Sequence, residues 1–337
     1  MDGLYSFRNQ KGNSYLILSL CVLLSGCTGG VQAGSTLQGQ VAQGGTINLP
    51  AGTIEIDCSG QLAIALSTSL IGAGRDLTIL HDTCPTGDTI SVNLTNPATV
   101  RIEELAIVHD GGNSAVHLVG GDHGYVAIIK RILRLSNVDL SGSTNCLVSD
   151  GLNQLFVEKS NLLHCSQDGA QISSFGVTLH DNWFGENGRN GVTFVDSAVI
   201  DELGGHQAGF CASCSGNEYW HNKGHGLVYQ IIIGIADARH IGDYVDSNGD
   251  VGMVVHGARD FTFNNGWIGS NRGGGAIVGD ATVGTVLVGN TFTVNFGPNL
   301  IVTETSGPLR VTGNASSLLQ DPCDAKINGT CFDLNKR

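Results

Sequence analysis

Asp237, Arg239 and Asp260, with His180 on an equivalent strand upstream, are the residues best suited to proton chemistry. Alternation turns Val177 and Leu179, like Phe261 and Phe263, to one side and leaves Thr178, His180, Asp260 and Thr262 on the other. Two chemistries fit such a set. In β-elimination a base takes the proton α to a carboxylate, while an arginine, together with Ca²⁺ held by carboxylates, stabilises the enolate. In hydrolysis two carboxylates at a fixed separation share the acid and base roles, and Asp237 with Asp260 or Asp201 with Glu202 would supply them. Charges on adjacent strands also occur as plain solvated surface, so residue type alone does not decide. Cys211-Ala-Ser-Cys214 has the spacing of a redox or metal pair, yet it has no second CxxC and no strand–helix context, so it reads as a structural disulfide.

These residues sit in a repeated unit. Asn187, Asn222, Asn248, Asn271 and Asn295 are 35, 26, 23 and 24 residues apart, each followed by glycine or proline and then a short apolar strand. A second column, Asn137, Asn161, Asn182, Asn217, Asp243, Gly266 and Asn290, keeps the same period. A period near 24 residues means a stacked solenoid with one continuous core. Each coil reads as three short strands separated by turns, the longest insertion falling at about 196–212. In the third strand Val192, Leu227, Met253, Ala276 and Leu300 should point inward, as should Phe194, Tyr229, Val255, Val278 and Val302. Stacked amides can donate and accept along the pile, and glycine beside them is expected to supply positive φ at sharp turns.

The opening segment, Gly44-Gly45-Thr46-Ile47-Asn48-Leu49-Pro50-Ala51-Gly52-Thr53 followed by Ser69-Leu70-Ile71-Gly72-Ala73-Gly74-Arg75, resembles the first coils of pectate-lyase-like and tailspike-like helices. With the asparagine ladder, residues 37–314 resemble the right-handed parallel β-helix of the pectin lyase-like superfamily. The implied fold class is all-β, a single-stranded helix with three short strands per coil and about ten coils. Leucine-rich repeats share the period and the ladder, but leucine does not dominate this core, and a left-handed β-helix would need a six-residue period.

The resemblance implies a substrate groove on the outer face of the first strand, walled by loops that leave the third. Carried onto this chain, the catalytic candidates are Asp237, Arg239, Asp260 and His180, and the wall holds Asp196, Asp201, Glu202 and His206. Trp183, Tyr244 and Trp267 share one outward position in three coils, where rings could stack on sugar faces or pack under flanking turns. Gly224-His225-Gly226 is similar to a polygalacturonase motif, but it falls at the glycine-rich turn of the repeat and its companion motifs are missing, so it reads as a turn. The Asp-Pro-His-Asp of alginate epimerases does not occur. The expected function is recognition, with or without degradation, of a polysaccharide by a lyase- or glycosidase-like groove. The alternative is a non-catalytic lipoprotein that binds glycans, adheres or is structural. Calcium enters only with the elimination chemistry.

Residues 1–26 read as a signal segment, with Arg8 and Lys11 before the apolar run Tyr15–Leu24, which is too short to span a membrane. Leu24-Ser25-Gly26-Cys27 resembles the bacterial lipobox, which implies cleavage before Cys27 and fatty acyl (palmitate) attachment there. Thr28 points to the outer membrane, so the chain is expected at the cell envelope, held by lipid. Residues 27–36 read as a tether and 315–337 as a cap over the last coil. The net charge of −13 without basic runs argues against nucleic acid. The solenoid is expected to act as a monomer. Besides Cys21 and Cys27, eight cysteines fall in neighbouring pairs: Cys58 with Cys84, Cys146 with Cys165, Cys211 with Cys214, and Cys323 with Cys331. This is the economical choice among 105 possible pairings.

Overall fold

The computed structural model describes residues 34–94, 96–119, 131–151, 154–174, 176–200, 206–232, 237–279, 282–303, 306–317 and 323–334. Cys27 and the signal segment lie outside them, as do Asp201 and Glu202, while His206 is described in its backbone alone. The described chain is a parallel β-helix of about ten coils. The first and second strands of each coil form a 20-stranded sheet, and the third strands form a 13-stranded sheet. In the N-terminal coils the first two strands merge into the long strands Ala98–His109 and Arg131–Ser141, and this joins both columns into one sheet. Glu104 (φ 58°) and Asn137 (φ 53°) mark the bend inside those strands.

The inward columns are those the alternation predicts. Val192, Leu227, Met253, Ala276 and Leu300 pair in succession, as do Phe194, Tyr229, Val255, Val278 and Val302, and all ten are buried. Burying each larger side chain contributes roughly 1.5–3 kcal/mol relative to leaving it in water. Aromatic residues stack where coils provide them, with Phe194 and Tyr229 centroids 4.5 Å apart and Phe184 and Tyr219 5.4 Å apart.

The asparagine ladder is continuous. Nδ2 of Asn187, Asn222, Asn248 and Asn271 donates to Oδ1 of the next asparagine at 3.0, 3.0, 2.9 and 3.1 Å, ending on Asn295. Each of these amides also donates to a carbonyl, for example Asn248 to Tyr219 at 3.0 Å, so buried groups on three coils are satisfied together. The positive φ at this corner belongs to the residue before each asparagine: Glu186, His221, Ser247, Ser270 and Val294 lie between 53° and 57°. Glycines after the asparagine serve close approach instead. A Cβ on Gly226 would lie 2.7 Å from Asn248 Nδ2, and one on Gly252 2.5 Å from Asn271 Nδ2.

At the other corner the ladder runs through Ser160, Asn182, Asn217 and Asp243, breaks at Gly266 and resumes at Asn290 and Asn314. Ser160, not Asn161, holds the ladder place, because Asn161 aligns with Trp183 one residue on, and Leu162 rather than Leu163 fills the core. Gly266 gives room to Phe263, whose ring would lie 2.3 Å from an added Cβ.

Both ends of the stack differ from the expected boundaries. Gly34–Val41 is an α-helix that buries Leu37 and Val41 on the first coil, so the cap begins inside the expected tether. At the far end Ala315–Ser317 and Ala325–Ile327 still pair parallel with Thr291–Thr293 and Leu300–Val302. Among the described residues of this end, Thr330–Phe332 departs, pairing antiparallel with Ala325–Ile327.

Eight cysteines form four disulfides, between the partners that their grouping along the chain suggests. Cys58 is bonded to Cys84, with Cα atoms 4.8 Å apart, and Cys146 to Cys165, at 5.6 Å. Cys211 is bonded to Cys214 at 5.8 Å, and Cys323 to Cys331 at 5.4 Å. Cys84 and Cys165 are buried, whereas Cys331 is exposed on the antiparallel strand of the cap. A bulge opposite Val177 and Thr178 leaves Ala212 and Ser213 outward, and this lets both Cys211 and Cys214 face the core. Among the described residues no helix is long and apolar enough to cross a membrane.

Candidate functional site

A recess on a strand face lies on the third-strand sheet. Gln171, Thr193, Val228 and Val254 align on its floor, and Val195, Gln230 and His256 align in the row beside them. The turns before these strands add Arg189, Asn190 and His225, enclosing about 530 Å³. This size suits a small ligand or a few sugar units.

The turns are fixed by a buried acid. Asp168, fully buried, accepts from Arg189 Nε at 2.7 Å and Nη2 at 2.5 Å, from Thr193 Oγ1 at 2.8 Å and from the Asn190 amide at 3.0 Å. The bonds to Asp168 raise the pKa of Arg189, outweighing partial burial, and the guanidinium side chain remains 49 % exposed at the cleft rim. Asn190 in turn donates to Thr193 and accepts the His225 backbone amide at 2.9 Å. His225 Nδ1 lies 3.1 Å from the Val251 carbonyl, which can only accept, so Nδ1 carries a proton and in the neutral ring the lone pair is on Nε2. An oxygen of Asp250 lies 4.0 Å from that Nε2.

Asp237, Arg239, Asp260 and His180 are exposed on a different sheet. Asp237 aligns with Arg259 and Arg239 with Thr262, so Asp260 sits in a bulge with φ 49°, its carboxylate over Gly284. These charges form no ion pair with one another, and His180 bonds Ser215 Oγ at 2.9 Å. The insertion leaves the third strand as an antiparallel pair, Val192–Ile200 with His206–Ala208, beside the third-strand recess. Asp196 there accepts the Ile232 amide at 2.6 Å. The bonded cysteines Cys58, Cys84, Cys146, Cys165, Cys211, Cys214, Cys323 and Cys331 do not line the recess, so their part is to hold the stack.

Trp183, Tyr244 and Trp267 do share one column, with Glu218 between the first two. Tyr244 and Trp267 stack on each other at 5.7 Å, and Trp183 leans on Trp220 at 5.5 Å. Both indoles lie back over the glycine two residues on, Gly185 and Gly269. Their faces are therefore partly taken by protein.

No protein-family model and no curated protein sequence matches the chain. Solved structures do match. The A-module of the mannuronan C-5 epimerase AlgE4 from Azotobacter vinelandii is 16 % identical, with a TM-score of 0.53, over 87 % of this chain and 95 % of that one. The enzymatically active domain of tailspike protein 2 from bacteriophage CBA120 is 11 % identical, with a TM-score of 0.53, over 87 % of this chain and 44 % of that one. The full-length tailspike protein 2 from a bacteriophage of Escherichia coli O157:H7 gives 11 % and 0.54, and this chain spans 39 % of its length. At these identities the likeness is one of fold, and the fold is the right-handed parallel β-helix.

The recess brings together an arginine, two histidines and two glutamines that sequence reasoning left out of the site. His225 stood in a glycine-rich turn of the repeat, where turn geometry explained it. Arg189 and Asp168 belong to adjacent coils, and only their stacking makes them a pair. What they share is place: Asp168 and Arg189 stand three and two residues after the ladder positions Cys165 and Asn187.

Proposed function

We propose that the chain binds an acidic polysaccharide along the outer face of the third-strand sheet and moves a proton at the uronate carbon next to the carboxylate. The observation that carries this reading is the meeting of Arg189, His225 and His256 in one cleft. The exposed edge of Arg189 would pair with the sugar carboxylate, withdrawing charge and easing loss of the adjacent proton. His225 Nε2 would take that proton, and Asp250 would stabilise the resulting imidazolium. His256, in the next coil, stands where it can return a proton to the carbanion or to the departing oxygen. Gln171 and Gln230 offer amides to hydroxyl groups. An epimerase module and a tailspike active domain on the same fold support a saccharide as ligand.

Among the described residues, the one group of three His, Cys, Asp or Glu side chains with converging ligand atoms is Cys211, Cys214 and His240, and its cysteines are bonded to each other. Asp237 and Asp260 do not converge with a third such side chain among the described residues. We infer further that lipid on Cys27 holds the chain at the envelope. Leu24-Ser25-Gly26-Cys27 supports this, as do four disulfides, which persist in oxidising compartments. Radiolabelled palmitate should enter the full chain and not its Cys27→Ala variant.

The deciding experiment incubates the compact unit from Val31 onward with alginate, pectate and a neutral glucan. Unsaturated-product absorbance, epimer ratio by proton NMR and reducing ends are all followed. Uronate-dependent product that disappears in His225→Gln is expected. Binding to a uronate column without product would leave a glycan-binding module, and neither binding nor product would remove the proposal.

A further inference from the structure

A second recess opens on the far side of the turn that carries His225. The ladder brings the residue after each asparagine into a column: Lys223, Gly249, Arg272 and Phe296 follow Asn222, Asn248, Asn271 and Asn295. Gly249 leaves a gap between two cations that stand two coils apart, about 10 Å at the strand spacing. That position is closed to a side chain, since a Cβ would lie 2.2 Å from the Lys223 carbonyl oxygen. Ser247 and Ser270, with φ of 57° and 56°, line the gap, and His221 flanks it, enclosing about 610 Å³.

The charge of this notch is at odds with the chain. The protein carries −13 overall, yet Lys223 and Arg272 are exposed, and among the described residues neither is in an ion pair. The acids beside it on the chain, Asp246 and Asp250, are already hydrogen-bonded. Asp246 takes the Ser247 hydroxyl at 2.6 Å, and Asp250 accepts the Val251 amide at 2.9 Å while its other oxygen faces His225. Phe296, 53 % exposed, closes one end of the notch with a bare ring. Two cations for negative groups, hydroxyls between them and a ring for the C–H face of a sugar make a combination suited to a charged glycan.

We propose that the notch formed by Lys223, Gly249, Arg272 and Phe296 is a second binding site, taking two negative groups of an anionic polysaccharide held two coils apart. It does not depend on the proton chemistry of the cleft. It accepts sulfate esters as readily as carboxylates, because lysine and arginine pair with both.

Dextran sulfate against unmodified dextran, titrated calorimetrically into the unit from Val31 onward, tests this. The wild type should bind the sulfated polymer, more weakly as salt rises, and not the neutral one. Lys223→Ser with Arg272→Ser should weaken binding at least about tenfold, as expected for losing two charge-assisted contacts. Phe296→Ala should weaken it less, and His225→Gln should leave it unchanged. All four positions lie outside the core and the ladder, and unchanged thermal unfolding will show that the stack is intact. Equal binding by the double variant, equal binding of plain dextran, or loss through His225→Gln alone would overturn the proposal, the last moving the site to the cleft.

Discussion

His240 donates Nδ1–H to Asp243 Oδ2 at 2.7 Å inside the stack, where neither side chain meets solvent. Tyr229 completes a relay, its hydroxyl 2.7 Å from His240 Nε2, while Asn217 donates to the other Asp243 oxygen through its backbone and side-chain amides at 2.9 and 3.2 Å. An aspartate thus stands in line with the amides of Asn182 and Asn217, held by a histidine. Replacing His240 by Phe leaves that carboxylate short of a partner and should cost about 3–5 kcal/mol. Asp243→Asn should cost much less, because the amide still accepts from Asn217 and can donate to the opposite imidazole tautomer. Urea unfolding midpoints should fall in that order, and the reverse order would refute the relay.

Asn248 serves four groups, accepting from the Asn222 backbone and side-chain amides and donating to Tyr219 O and Asn271 Oδ1. Asn248→Ala strands several of them away from water. At roughly 1–3 kcal/mol for each unsatisfied buried group, a loss of at least about 3 kcal/mol is expected. Hydrogen exchange should show the opening centred on the coils of Asn222 and Asn271.

His117 lies between Asp150 at 3.0 Å and Asp88 at 2.8 Å, and these two carboxylates raise its pKa to about 9. The folded value exceeds the unfolded one of about 6.5, so the stabilisation is complete below that pH and is lost as pH rises towards 9. Partial exposure screens the pair, leaving about 1–2 kcal/mol. Stability measured between pH 6 and pH 9.5 should decline, and His117→Gln should flatten that decline.

In the cleft, His225→Gln keeps a hydrogen-bonding side chain but removes the base. On the substrate found active, kcat should drop by about 10²–10⁴ with KM little changed. Arg189→Gln should act mainly through KM, raising it about tenfold or more. That variant is best made with Asp168→Asn, which prevents a buried carboxylate from being left alone.

The stack was legible because its evidence is periodic: one asparagine per coil, and inward pairs such as Val192 and Phe194 repeated five times. The bond from Cys58 to Cys84 fits the same period, since their separation of 26 residues is one coil. Cys165 lies 19 residues from Cys146, most of a coil that includes the strands Gln154–Glu158 and Asn161–Leu163, whereas Cys331 is only 8 residues from Cys323, across the antiparallel turn of the cap. The binding face was not legible in this way. Alternation separates inside from outside, but it does not say which of three outward faces is hollow, and that depends on turns such as 187–190 and 222–226. Asp237, Arg239 and Asp260 were found as outward charges and are outward charges, whereas the recess opens on the other sheet. The helix Gly34–Val41 was missed because GSTLQGQV has only two apolar anchors, Leu37 and Val41, and two glycines. The positive φ at Val294 carries no sequence mark at all, since a β-branched residue is the last expected there.

The antiparallel pair of Asp196–Ile200 with His206–Ala208 leaves the pile, and the chain returns with Cys211 aligned to Val177, so the coils on either side keep their pairing. A ridge of this kind can be exchanged like a tool head. Longer, shorter or differently charged versions would re-shape what the neighbouring hollow admits, while the amides beneath continue to hold the shaft. Selectivity and stability are thereby written in separate parts of the chain, and one can drift without the other.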